Sequence, residues 1–506
     1  MSNPTSALAS TNQQPKFSGV RRRWDALPPV ARSLVGWLGL FAGVVLLKRD
    51  ALLLPASWDE SWAVLPGGLW LSDNGFNILG LVYQPQWYEY GPGTYALAPV
   101  TWMTGIVAIL AKSATTFLLS LHLVHMAIGA IGLREVYRFA RPVWSPTASS
   151  GLVLATALVP VLNAQLGFMY LETPIFTAGM LTINAGLAGR WKRVALWGAL
   201  ATSIKASGII PLGAIVATSL MAPPALASLR RSILVLLPAA LVGLIPILLG
   251  VVGEANRDLT DVLASSSVQI LRMPELAVAL FLAATFGILS HRPGRSPSHD
   301  VELRLKLFAW QALLFVGFYT FTILFVVPIY VLPRYFIILV PVTLFAAWDI
   351  GVRRFGHLIA GVIGLMLVGS MVFNQSGTFF AERDDATSVG LESSNAYVGR
   401  LLLTDRTLDG AVATGDPVYL SANLWFRTQY PRLGYVEAVP GNVHLLIDLD
   451  IDQLPERFVV VDAEFNLLAS ETFETLDTMA EYRPETTQLK LDGFTARYVT
   501  FTRKSG

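Results

Sequence analysis

A chain of 506 residues that is 53% hydrophobic and only 14% charged falls outside the soluble globular range, where about a quarter of residues carry charge. It has no cysteine, which excludes disulfides, cysteine-ligated metals, iron–sulfur clusters and thiol nucleophiles. The formal charge of +2 conceals a split: residues 1–374 carry 26 basic and 15 acidic side chains, and residues 375–506 carry 11 and 20.

A basic, apolar part joined to an acidic tail predicts two units, with the tail in water. Many apolar runs approach the ~20 residues that cross a bilayer. The expected fold class is an all-α polytopic membrane domain, residues 30–374, followed by a small C-terminal α/β or α+β domain, residues 375–506. Residues 1–29 are polar and read as a disordered cytoplasmic N-terminus. Arg21-Arg22-Arg23 precedes the run Val30–Leu47. No small-x-small cleavage site follows it, so it reads as an uncleaved first transmembrane helix entered from the cytoplasm.

Residues 51–94 form the first long outer loop. It holds Trp58-Asp59-Glu60-Ser61-Trp62, then Tyr88-Glu89 and the turn Tyr90-Gly91-Pro92-Gly93. Two adjacent carboxylates between tryptophans at the membrane boundary are costly unless they have a task. The plainer alternative is the start of a solvated loop. The next cations, Arg134, Arg138 and Arg141, belong inside by the positive-inside rule. An even number of crossings must therefore precede them; Val30–Leu47 and Thr115–Leu133 make two, so Tyr95–Ala111 is expected to lie on the outer surface as a juxtamembrane helix.

Alternating sign then gives Ala148–Ala164 outward, Pro174–Gly189 inward, Val194–Ala206 outward and Gly208–Met221 inward. Ser232–Val252, Pro274–Leu289, Leu307–Val327, Tyr335–Trp348 and His357–Phe373 continue the series. The count is about eleven transmembrane helices. An odd count leaves the C-terminal domain extracytoplasmic in a multi-pass protein of the plasma (cytoplasmic) membrane. Within the tail, Pro417–Leu420 and Phe458–Val461 read as buried strands. Asp492-Gly493 marks a hairpin between Leu489–Lys490 and Phe494–Thr502. Asp448, Asp450 and Asp452 read as a solvated strand edge, lacking the glycine spacing of a calcium loop.

Five polar features fall at one depth: Asp59-Glu60, Tyr88-Glu89, Glu172, Lys205 and Arg334-Tyr335. Ionisable groups at membrane depth usually face a cavity and pair with one another or with a substrate. Carboxylates suit a base that deprotonates an acceptor, and Lys and Arg suit a phosphate. Plain alternatives stand beside each. Arg334 could snorkel to headgroups. Lys205 lies about a dozen residues past Arg193, roughly 18 Å at the helical rise, so it is either a snorkelling lysine or a break lining a cavity. Glu172 could be a helix-start acid ahead of Pro174. His122 and His125 read as hydrogen-bonded core residues. The combination fits a lipid-phosphate-linked sugar: a carboxylate activates the acceptor while cations stabilise the departing phosphate.

The order of these motifs resembles the GT-C superfamily of integral-membrane glycosyltransferases, in its protein O-mannosyltransferase and aminoarabinose-transferase-like branch. The motifs are Asp59-Glu60, Tyr88–Tyr95, Glu172-Thr173-Pro174, Lys205-Ala206-Ser207-Gly208 and Pro333-Arg334-Tyr335-Phe336, spread over residues 30–350. The chain departs from the family pattern at Gly91-Pro92-Gly93, where a basic residue before two prolines is common, and at Thr173, which separates the acid from the proline.

The resemblance implies an inverting transfer of a monosaccharide from a polyprenyl-phosphate donor to a lipid, glycan or protein acceptor at the outer face. Asp59 would be the base. Asp59, Glu60 and Glu172 form the catalytic set, and Tyr88, Glu89, Lys205, Arg334 and Tyr335 the substrate-binding set. Some members of the family use a divalent cation near the first-loop acids, and the sequence leaves that point open. Membrane lipids are the expected surroundings, and no nucleic acid is expected. Two other classes share the location: a non-catalytic carrier or flippase of lipid-linked saccharides, and a ligase or polymerase of such glycans. A carrier needs polar groups through the full thickness. A ligase typically has a long late loop, where this chain has only Pro328–Arg334.

Overall fold

A computed structural model describes residues 28–56, 64–84, 95–220, 225–248, 284, 298–325, 333–373, 394–446, 449–450, 453–462, 476, 479–491 and 494–504. The first helix, α1 (Pro29–Leu47), opens on a proline at N1, where a missing N–H costs nothing. Two short helices, α2 (Leu65–Asp73) and α3 (Ile78–Val82), lead to α4 (Pro99–Leu110). At 12 residues α4 reaches only about 18 Å, short of the ~30 Å of a bilayer core.

The long helix α5 (Ala114–Ala140) begins at Ser113, whose side chain accepts from the Thr116 N–H. It is the spine of the bundle. α1 packs along it, with Trp37 Nε1 donating to the Ala127 carbonyl at 3.3 Å.

The expected crossing Ala148–Ala164 is not one helix. α6 (Pro146–Leu158) and α7 (Pro160–Gly167) meet at a bend of 75°. Pro160 is the cause. It lacks an N–H and pushes the preceding residue out of the helical region, and Val159 adopts φ −57°, ψ 123°. The second limb turns into the protein, where Val161 to Gly167 are buried.

α8 (Glu172–Leu187), α9 (Trp191–Ile204) and α10 (Ile209–Leu220) follow. Leu212 lies against Gly198, each seven residues from Lys205, so α9 and α10 fold back on each other with Lys205 at the tip. α11 (Ala225–Leu248) packs on α9, and α12 (His299–Phe325) packs on α10. A 3₁₀ turn, Pro333–Ile338, enters α13 (Val340–Phe373), which breaks at Gly356 (φ 81°, ψ 166°). That break divides the apolar runs read as Tyr335–Trp348 and His357–Phe373. Among the described residues three helices are long and apolar enough to cross a membrane, and the bent pair makes a fourth. The expected segment Pro274–Leu289 lies outside the described residues.

The C-terminal domain opens with α14 (Ser394–Val412). β1 (Val418–Leu420), α15 (Ala422–Gln429) and β2 (Val443–Leu445) come next, followed by β3 (Arg457–Asp462), β4 (Tyr482–Leu491) and β5 (Phe494–Arg503). The sheet order is β2-β1-β3-β5-β4. β1 runs parallel to β2 and β3, and the other pairs are antiparallel. Phe458 to Val461 are inaccessible on both faces of β3, which is why that stretch reads as an unbroken apolar run. β4 and β5 are the expected hairpin, whose Asp492-Gly493 turn lies outside the described residues. Asp450 is exposed and not in a strand, so it does not form the expected strand edge. Asp448 and Asp452 lie outside the described residues.

This domain docks on the bundle where α4 ends and α5 begins. Arg432 donates to the Ala108 carbonyl at 3.2 Å. An open groove of about 800 Å³ runs along the junction, with Lys112, Asp405, Asp409 and Glu437 on its walls. Burial, and then the like charge of Asp409, push the Asp405 carboxyl up to about 6. A carboxylate with a raised folded pKa weakens the fold as pH rises through 4 to 6. Asp405→Asn should therefore raise the unfolding temperature of the purified protein at pH 7.5, with the gain fading toward pH 4.

The bundle's orientation is open to direct measurement in a chain without native cysteines. Single cysteines at Ser113 and Ser145, at opposite ends of the α5 spine, should label from opposite sides of sealed vesicles, Ser113 from outside.

Candidate functional site

Glu172 is the first residue of α8, in the first turn, where the helix dipole favours a carboxylate. The turn before it is fixed by Thr173, whose hydroxyl donates to the Gln165 carbonyl at 2.7 Å. Lys205 sits in extended backbone (φ −157°, ψ 141°) between α9 and the 3₁₀ turn Ala206–Gly208. The reversal is tight. A Cβ at Gly208 would fall 2.2 Å from the carbonyl carbon of Ala201, so the Lys-x-x-Gly spacing has a steric reason. Arg334 and Tyr335 lie in the 3₁₀ turn that enters α13.

These three distant segments meet. Lys205 Nζ donates to Glu172 Oε1 at 2.7 Å, and Arg334 Nε lies 3.5 Å from the same oxygen. The Lys205 ammonium stands 3.7 Å from the centroid of the Tyr335 ring. The Arg334 guanidinium is 5.0 Å from the Tyr170 ring and 5.7 Å from that of Tyr335. Tyr335 stacks on Tyr319 with centroids 5.6 Å apart and planes 4° from parallel. Glu172 is 2% exposed and Arg334 5%. Among the described residues one carboxylate faces two cations in a largely buried, aromatic-walled setting. Glu172 Oε2 has no hydrogen-bond partner among the described residues.

The cluster lies at one end of the bundle. α8 runs from Glu172 to Asn184, whose side chain donates to Glu135 at 2.9 Å. Glu135 in turn holds Arg138 at 2.9 Å. Twelve residues of helix, about 18 Å, separate the cluster from that basic end. The C-terminal domain docks at the cluster's end.

Of the residues expected from sequence, Glu172, Lys205, Arg334 and Tyr335 are thus in mutual contact. Asp59, Glu60, Tyr88 and Glu89 lie outside the described residues. Tyr170 and Tyr319 join the cluster as aromatic walls, a role the sequence does not mark, since an aromatic in an apolar run reads as core. His122 and His125 are buried and bonded to backbone carbonyls. His122 Nδ1 is 2.9 Å from Gly167 O, with Nε2 3.3 Å from Leu54 O, and His125 Nδ1 is 3.0 Å from Leu121 O. Among the described residues no three His, Asp or Glu side chains are grouped to hold a metal.

No family model matches the chain, and no curated protein matches it. Among solved structures it is similar to ArnT from Cupriavidus metallidurans. The apo form is 13% identical with a TM-score of 0.44, and the form bound to undecaprenyl phosphate is 14% identical with a TM-score of 0.46. Each match covers 92% of this chain and 98% of the other.

Removing one member of a buried charge cluster leaves the rest uncompensated, at a cost of about 3–5 kcal/mol. Glu172→Ala should accordingly lower the unfolding midpoint of the purified protein sharply, and Glu172→Ala with Lys205→Met should recover part of the loss.

Proposed function

We propose that the chain is an inverting membrane glycosyltransferase of the GT-C kind, taking a monosaccharide from a polyprenyl phosphate to an acceptor at the outer membrane face. The observation that carries this reading is the cluster itself. Two cations share one carboxylate beneath aromatic rings, at the bundle end where the C-terminal domain docks. A phosphate suits the Arg fork and the Lys point charge.

In the reaction Asp59 takes the proton from an acceptor hydroxyl or amine. The freed lone pair attacks the anomeric carbon opposite the phosphate. The sugar–phosphate C–O bond breaks, and its electrons leave with the polyprenyl phosphate. Lys205 and Arg334 stabilise the charge that grows there, which is where preorganised donors lower a barrier most. Glu172 holds both cations in place, Glu60 completes the carboxylate set, and Tyr88, Glu89 and Tyr335 line the path of the donor.

The test is a transfer assay. Purified full-length protein is mixed with radiolabelled polyprenyl-phosphate hexoses or pentoses, with native membrane vesicles supplying the acceptor. The wild type should move label from at least one donor. Asp59→Ala should lower kcat by about a hundredfold or more, and Arg334→Ala should raise KM for the lipid-linked donor. Undiminished transfer by Asp59→Ala would remove it as the base.

A further inference from the structure

We infer that the turn Pro431–Tyr435 of the C-terminal domain is a clamp that positions the chain leading into Asp59 and Glu60. The importance of those two acids rests on the function proposed above, but the clamp itself rests on described contacts alone. The Tyr435 hydroxyl donates to the Ala56 carbonyl at 2.6 Å, and the Ala56 N–H donates to the Leu433 carbonyl at 3.2 Å. Both backbone polar groups of one residue are thus taken by a segment 379 positions away. From the other side His122 on α5 faces the Leu54 carbonyl at 3.3 Å. Leu54 and Ala56 are buried.

The clamp is itself held stiffly. Gly434 takes φ 90°, and a Cβ there would come within 2.8 Å of Leu118 and 3.7 Å of Pro55. The Tyr435 ring lies 4.9 Å from the guanidinium of Arg427, a residue with no exposure. An apolar patch would be enough to dock a domain. Bonds to both the N–H and the C=O of Ala56 also fix the direction in which the chain continues. Asp59 is three residues on, within about 10 Å of extended chain. Tyr435 is on this view a positioning residue: it acts on the reaction only through the first outer loop.

The absence of cysteine makes the test direct. A nitroxide on Ser57→Cys, the residue after the clamped one, is compared in the full-length protein with and without Tyr435→Phe. The variant should give a faster-moving label at an unchanged unfolding temperature. Arg432→Leu breaks a neighbouring docking bond without touching Ala56, and should leave the spectrum as it was. In the transfer assay Tyr435→Phe should lower kcat about tenfold, with KM for the lipid-linked donor nearly unchanged. If Tyr435→Phe folds poorly, hydrogen exchange of the Ala56 amide in the unaltered protein decides the question, with slow exchange expected. An unchanged label spectrum in a folded Tyr435→Phe protein, or an Ala56 amide exchanging at the rate of a free one, overturns the clamp. If the wild type transfers no sugar, the proposed reaction fails and the label and exchange results still judge the clamp.

Discussion

Glu172 bears two cations in surroundings nearly without water, and much of the membrane part is shaped by that requirement. A lone buried carboxylate or ammonium is costly, and the cost falls only when partners and hydrogen bonds are supplied together. Lys205 can reach Glu172 because the helix stops at Ile204 and the backbone turns extended. That turn is possible because Gly208 lets the returning chain press on the Ala201–Thr202 backbone. Arg334 arrives from a 3₁₀ turn rather than from a helix face. Two interruptions of regular structure thus converge on one oxygen atom of Glu172. Each is a place where the sequence gives up local helix propensity for a specific contact.

Much of this was legible beforehand because membrane sequences advertise their exceptions. Glu172, Lys205 and Arg334 stand at the edges of apolar runs, where an ionisable residue needs a reason. The runs themselves give the helices by length. The strands of the tail were readable where burial is two-sided, as at Phe458–Val461. The 75° bend at Val159–Pro160 was less accessible, since hydropathy continues unbroken through the proline and carries no direction. Tyr170 and Tyr319 were missed for a related reason. Side chains that pack and side chains that line a charged site share one composition, and only coordinates separate them. The bond between Tyr435 and Ala56 joins segments with no shared periodicity, so no pattern in the sequence could announce it.

His122 ties the segment after α1 and the charged cluster into one frame. Its two ring nitrogens face carbonyls of Leu54 and Gly167. Leu54 leads into the residues that the C-terminal domain grips. Gly167 ends α7, the second limb of the bent pair, five residues before Glu172. A single imidazole thus stands between the segment entering the first-loop acids and the segment presenting the cation-binding acid. Through Ala56 and Tyr435 the same frame extends to the sheet domain. The docked domain, the loop and the cluster share one end of the bundle, so a displacement at any of them is felt by backbone groups that have few alternative partners.

The charge balance of the cluster bears on the direction of the proposed reaction. A polyprenyl-phosphate sugar is a diester with a single negative charge. Transfer converts the diester into a monoester, whose second ionisation near pH 6 adds most of another charge at neutral pH. That charge grows on the oxygen leaving the sugar. The cations therefore interact more strongly with the departing group than with the bound donor, which is the difference that accelerates a chemical step. Glu172 holds both cations in place for that interaction, with its own side chain and that of Arg334 nearly out of water.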